Sequence, residues 1–119
     1  MGKTTTITLQ DLRQFTGTTQ WYRHSLTGLL YTDGVHFLAE EVQADWIIDL
    51  IASYQYRMAN VRFQVWTIKP YGEEYVALCQ DGDENFICQQ VFPFTDLPAT
   101  LMPLKLFVQN NVLFLPSEY

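Results

Sequence analysis

The 119-residue chain carries 13 Asp and Glu against seven Lys and Arg, a net charge of −6, with 48% hydrophobic and 15% aromatic residues. That length reads as one domain, residues 1–119, and the hydrophobic content excludes an intrinsically disordered chain. Direct nucleic-acid binding is disfavoured, because Lys3, Arg13, Arg23, Arg57, Arg62, Lys69 and Lys105 are scattered rather than gathered on a phosphate-facing patch.

In chain order, Met1 to Thr6 reads as a flexible polar lead-in. It has no apolar signal-peptide region, and no apolar run of the chain reaches membrane-spanning length, so a cytoplasmic protein without a membrane partner is expected. Thr8-Leu9-Gln10-Asp11 has the form of a capping box, and Leu9, Leu12 and Phe15 make one short helical stripe that Gly17 ends. Trp21 to His24 and Leu29 to Tyr31 have strand composition on either side of Thr27-Gly28, as a small hairpin or irregular arms. Thr32 or Asp33 then offers an oxygen to cap a helix.

Val35 to Tyr54 is the clearest helical segment. Leu38, Val42, Ala44, Ile47, Ile48, Ile51 and Tyr54 recur at helical spacings suited to covering a sheet. Glu41, Asp45 and Asp49 fall at i, i+4 and i+8, on one face of an unbroken helix, while a bend near Gln43-Ala44 would divide it in two. The period then changes. Val61 to Lys69, Glu74 to Gln80 and Phe86 to Phe92 are rich in aromatic and β-branched residues, separated by turn-like Pro70–Glu73 and Asp81–Asn85. Leu104 to Val108 and Val112 to Leu115 flank Asn110-Asn111, a tight hairpin. The expected fold is α+β: an antiparallel sheet of about five strands packed on one long or broken helix, with a short N-terminal helix.

Several constellations bear on chemistry. His36 and Glu40 lie one helical turn apart, the spacing at which two ligands converge on an ion, with His24 as a third candidate, but a surface His followed by a helix Glu is a common pattern. The balance is for no metal and no cofactor. Asp81, Asp83 and Asn85 imitate a calcium loop, which fails where Phe86 stands in place of the turn glycine and Phe92 in place of the bidentate glutamate. Cys79 and Cys88 fall in strands joined by a short turn and read as reduced, half-buried thiols. His24 with Asp33 could form an acid–base pair acting on Ser25, Tyr31 or water, yet no nucleophile elbow or paired-carboxylate motif accompanies it. Trp21-Tyr22-Arg23-His24 combines large contact area with polar tips, the composition of binding hot spots; the plainer account has Trp21 and Tyr22 capping the core.

Phe15-Thr16-Gly17-Thr18, Tyr22-Arg23-His24, Leu30-Tyr31-Thr32-Asp33-Gly34-Val35, Leu38-Ala39-Glu40, Asp49, Ile51-Ala52-Ser53 and the closing Leu115-Pro116-Ser117-Glu118-Tyr119 resemble blocks of a small bacterial family, domain of unknown function 6876, found in cyanobacteria and on plasmids and phages. The resemblance implies a bacterial cytoplasmic protein of mobile DNA and brings no reaction or established site.

The sequence therefore favours a non-enzymatic macromolecule-binding module with a protein partner, a mobile-element protein that modulates a host or defence protein. Its expected surface is Trp21, Tyr22, Arg23, His24, Tyr31, Asp33 and His36. Two alternatives stay open: a small enzyme or ligand or metal binder using His24, Asp33 and His36, and a self-associating protein whose Leu104–Leu115 hairpin pairs edge to edge into a homodimer.

Overall fold

The computed structural model describes residues 7–93, 95 and 97–119; the lead-in at 1–6 lies outside the described residues. Seven strands form one sheet: β1 (Tyr22–Arg23), β2 (Leu30–Tyr31), β3 (Phe63–Tyr71), β4 (Glu74–Asp81), β5 (Phe86–Phe92), β6 (Leu104–Gln109) and β7 (Val112–Phe114). Their spatial order is β1-β2-β7-β6-β3-β4-β5. The helices are α1 (Leu9–Leu12), α2 (Asp33–Val42) and α3 (Asp45–Tyr54).

The α+β class holds, with differences in detail. Five strands fall where alternation and turn residues put them. The other two come from the short arms near Tyr22 and Tyr31, which form the hairpin β1–β2. That hairpin joins the sheet because β2 runs parallel to β7, with Leu30 N–H donating to Asn111 O at 3.0 Å and Thr32 N–H to Leu113 O at 3.2 Å. The sheet is thus mixed rather than wholly antiparallel. The Asn110-Asn111 turn has φ of 56° and 65°, the left-handed pair that a two-residue hairpin needs. This hairpin lies inside the sheet, since β6 pairs with β3 and β7 with β2. Edge-to-edge dimerisation through Leu104–Leu115 is therefore overturned, because neither strand has an open ladder.

The long helix is two helices. Gln43 closes α2 in the left-handed region (φ 53°), and α3 restarts after Ala44. Glu41 consequently belongs to α2, and only Asp45 and Asp49 share a helix face. The first helix is also shorter than its stripe suggests. Thr8 and Asp11 do form the capping box, but α1 stops at Leu12, ahead of Phe15 and Gly17.

α2 and α3 cover one face of the sheet and bury Val35, Leu38, Ile47, Ile48 and Ile51 against Trp66, Ile68, Leu104, Leu106 and Leu113. Trp66 is fully buried, and its indole N–H donates to Gln64 Oε1 at 2.9 Å. Gln64 and Gln55 exchange reciprocal amide hydrogen bonds of 2.9 and 3.0 Å. Among the described residues no buried side-chain polar atom lacks a partner, which avoids penalties of about 1–3 kcal/mol for each such atom. Cys79 and Cys88 sit opposite each other across β4–β5, both buried and free, rather than half-buried as their spacing suggested. Burial pushes both thiols up, Cys79 far more than Cys88.

Candidate functional site

Of the expected surface residues, Tyr22, Tyr31 and His36 meet at the β1–β2 end of the sheet. Local chain geometry sets this up. Gly28 takes φ 78°, which only glycine adopts at no steric cost, and closes the hairpin through His24 N–H to Leu29 O (2.8 Å) and Gly28 N–H to His24 O (2.9 Å). Thr32 ends β2 and caps α2, its Oγ1 accepting from Val35 N–H. One turn and one cap therefore deliver Tyr22, Tyr31 and His36 to the same spot.

Tyr22 lies at the centre. Its ring stacks on His36 with centroids 4.0 Å apart and planes 8° from parallel. Its cross-strand partner Tyr31 stacks on the other contact at 5.6 Å and 21°. Trp21, next in sequence, is 57% exposed and Arg23 is exposed, so neither seals the core. Arg23 folds its guanidinium back over Gly28, 3.7 Å from where a Cβ would stand.

His24 does not meet Asp33. Its Nε2 lies 2.8 Å from Asp49 Oδ1, a carboxylate supplied by α3. Thr27 backbone N–H donates to His24 Nδ1 at 3.2 Å, and Thr27 Oγ1 lies 3.0 Å from the same nitrogen. A backbone N–H can only donate, so Nδ1 accepts and the ring proton sits on Nε2, facing Asp49. Both ring nitrogens are thus engaged, and none is left to take a proton from a substrate.

Asp33 is occupied elsewhere. Its Oδ2 accepts from Thr19 N–H (2.9 Å) and Thr19 Oγ1 (3.0 Å), and its own N–H donates to Thr18 Oγ1 (3.0 Å). The Thr19 N–H, followed by the threonine hydroxyls, holds the Asp33 carboxyl below the ordinary carboxylate value. This residue pins the 18–20 loop to the start of α2. The acid–base pair is therefore corrected: two separate anchors replace one dyad.

The metal reading is not assembled either. Among the described residues no three His, Cys, Asp or Glu side chains converge as an ion would require, so His24, His36 and Glu40 do not form a ligand set. His36 spends its ring face on Tyr22 instead. Two clefts lie away from this cluster. One of about 590 Å³ is lined by residues such as Gln55, Arg62, Gln64 and Asn111, and one of about 510 Å³ by Leu9, Arg13, Lys105 and Ser117.

Electrostatically the stack stands among acids. Burial raises the Tyr31 phenol, and the negative charges of Asp45, Asp49 and Glu40 add to the shift. The phenol is held neutral, and three carboxylates act on it. The pairing of His24 with Asp49 and Thr27 is what sequence reasoning missed. Asp49 was visible as part of an acidic face and in the family resemblance, and Thr27 only as a turn residue.

A family model described as "Family of unknown function (DUF6876)" matches residues 6–119. No curated protein and no solved structure matches the chain.

Proposed function

We propose, for a chain that belongs to the DUF6876 family, a non-enzymatic module that binds a basic segment of a protein partner. The observation that carries this is the Tyr22–His36 stack, 4.0 Å between centroids, with Tyr31 alongside, whose phenol is raised by burial and by the charges of Asp45, Asp49 and Glu40. Aromatic rings attract cations over their open faces, and nearby carboxylates add Coulomb attraction. Trp21 and Arg23 supply exposed contact area of the kind that dominates hot spots. The engaged nitrogens of His24 favour this reading over catalysis.

The net charge of −6 adds long-range steering toward a basic partner. A cytoplasmic protein of mobile DNA, acting by occupying a host or defence protein, is the setting this reading fits; that setting rests on the family resemblance and on analogy.

Calorimetric titration with an arginine-rich peptide tests it. Binding should weaken by about tenfold or more in Tyr22→Ala and in the Glu40→Gln, Asp45→Asn pair, and weaken with added salt, with little change in the melting temperature of that pair. Equal affinity for an acidic peptide, or no effect of either variant, overturns the assignment.

A further inference from the structure

The two ends of the sheet differ sharply. At one end β1 is two residues long; at the other β5 offers seven residues, Phe86 to Phe92, with no charge and no proline. Long uncharged edges template pairing with another strand, and proteins ordinarily blunt them with Lys, Pro or shortness. β5 has no Lys, no Pro and full length, and its one irregularity is a bulge near its start. Phe86 is 64% exposed and Val91 39%, the two large apolar side chains that β5 leaves in solvent.

The ladder to β4 says which face each residue takes. Phe86 stands opposite Gln80, Gln89 opposite Leu78 and Val91 opposite Val76, alternate residues of β4 and hence one face, the one away from the helices. A register shift between Cys79 and Gln80 absorbs Ile87 as the extra residue. Cys88, Gln90 and Phe92 take the helix face, where Gln90 Oε1 accepts from Tyr54 Oη at 3.0 Å and Phe92 packs on Trp46 at 5.3 Å.

From this register we infer that β5 pairs antiparallel with β5 of a second copy, about a two-fold axis at Gln89. On the open face the bulged pair Phe86-Ile87 then meets Val91 of the other copy, and Gln89 meets Gln89. On the helix face Cys88 meets Gln90. The arrangement is self-complementary, as an isologous two-fold contact must be, and it covers both exposed apolar side chains. It also answers the charge problem. Each copy carries −6 and an acidic turn, Asp81 to Glu84, at the start of β5. Antiparallel pairing sets the two turns at opposite ends of the interface, whereas parallel pairing would place them side by side. On the helix layer Trp46, Leu50 and Tyr54, half-buried at i, i+4 and i+8 of α3, flank the same edge and extend the apolar contact.

Light scattering coupled to size exclusion, with a charge exchange, tests the pairing. The wild-type chain should show twice the 13.9 kDa of one copy. A Phe86→Lys, Val91→Lys double variant and a Phe86→Glu, Val91→Glu double variant should each run at the single-copy mass, because like charges then stand opposite. Mixed one to one, they should recover the doubled mass. A wild-type chain that stays single across about a hundredfold range of concentration overturns the inference and leaves the edge to a different strand. Variants that stay doubled, or that fail to pair when mixed, also overturn it. Amide exchange in the wild-type chain gives a check free of folding effects. Protection of outward-facing β5 amides should rise with protein concentration, and protection independent of concentration counts against pairing.

Discussion

Gly34 is where the smallest change should do the most local damage. A Cβ there would stand 2.5 Å from Leu115 Cδ1 and 2.9 Å from Glu118 Cδ. Neither neighbour can easily retreat. Leu115 is buried, and Glu118 is tied down by Thr32 Oγ1–H at 2.6 Å, Leu115 N–H at 2.9 Å and Gly34 N–H at 3.1 Å. The carboxylate also sits at the positive end of α2, a favourable place for it. Gly34→Ala should therefore cost about 1–3 kcal/mol in denaturant unfolding, with the loss appearing in the midpoint rather than the slope. A cost within experimental error would show that Leu115 and Glu118 repack freely. Asp33, one residue earlier, gives a pH signature. Its carboxyl is held below 3.8 by the Thr19 N–H, so the contribution is present above that ordinary value and is lost as pH falls through the lowered one. Asp33→Asn should melt below wild type at neutral pH, and the gap should close as the solution is acidified below the ordinary carboxylate value. A gap that is constant with pH would mean that Asp33 acts through shape rather than charge.

At the scale of elements, the break between α2 and α3 was readable only as an option. Nothing at Gln43 announces a left-handed residue, since glycine or asparagine is the usual choice. The burden falls on packing: ending α2 at Val42 lets Ile47, Ile48 and Ile51 turn onto the sheet. Gln43→Gly should then stabilise the fold by about 0.5–1 kcal/mol, because φ 53° is free for glycine and strained for glutamine, and a lowered melting temperature would contradict this. Strands β3 to β7 were legible because alternation and turn residues are local signals, and Asn110-Asn111 even specified its turn. β1 and β2 were legible as arms but not as sheet members, since two-residue strands carry no period and the β2–β7 pairing joins residues far apart in sequence. The candidate site divides the same way. Tyr22, Tyr31 and His36 came together because a hairpin and a helix cap are local; His24 took Asp49 over Asp33 because a helix break decides where α3 points. Distance along the chain gave no hint of that choice.

At the scale of the molecule, the proposed interface and the proposed recognition rim occupy opposite ends of one sheet, β5 and β1–β2. Pairing through β5 joins two sheets into one and turns the two rims outward at its ends, leaving both free. A partner with two basic segments of matching separation would then be held twice, and the gain over one contact depends on that separation rather than on any new contact. The same geometry couples folding to association. If the paired form is native and the unfolded chain is single, mass action favours the folded pair as concentration rises. The melting temperature of the wild-type chain should climb with each tenfold increase in concentration, a change worth about 1.4 kcal/mol per pair. The Phe86→Lys, Val91→Lys variant should show no such climb, although its chain keeps the same core, because both substituted side chains lie on the exposed edge. Equal slopes for the two proteins would place association on some other surface, and two flat lines would mean that the β5 edge stands alone. The rim variant Tyr22→Ala should leave the wild-type slope intact, since its ring sits at the far end of the sheet from β5. A loss of slope in Tyr22→Ala would mean that one surface serves both roles.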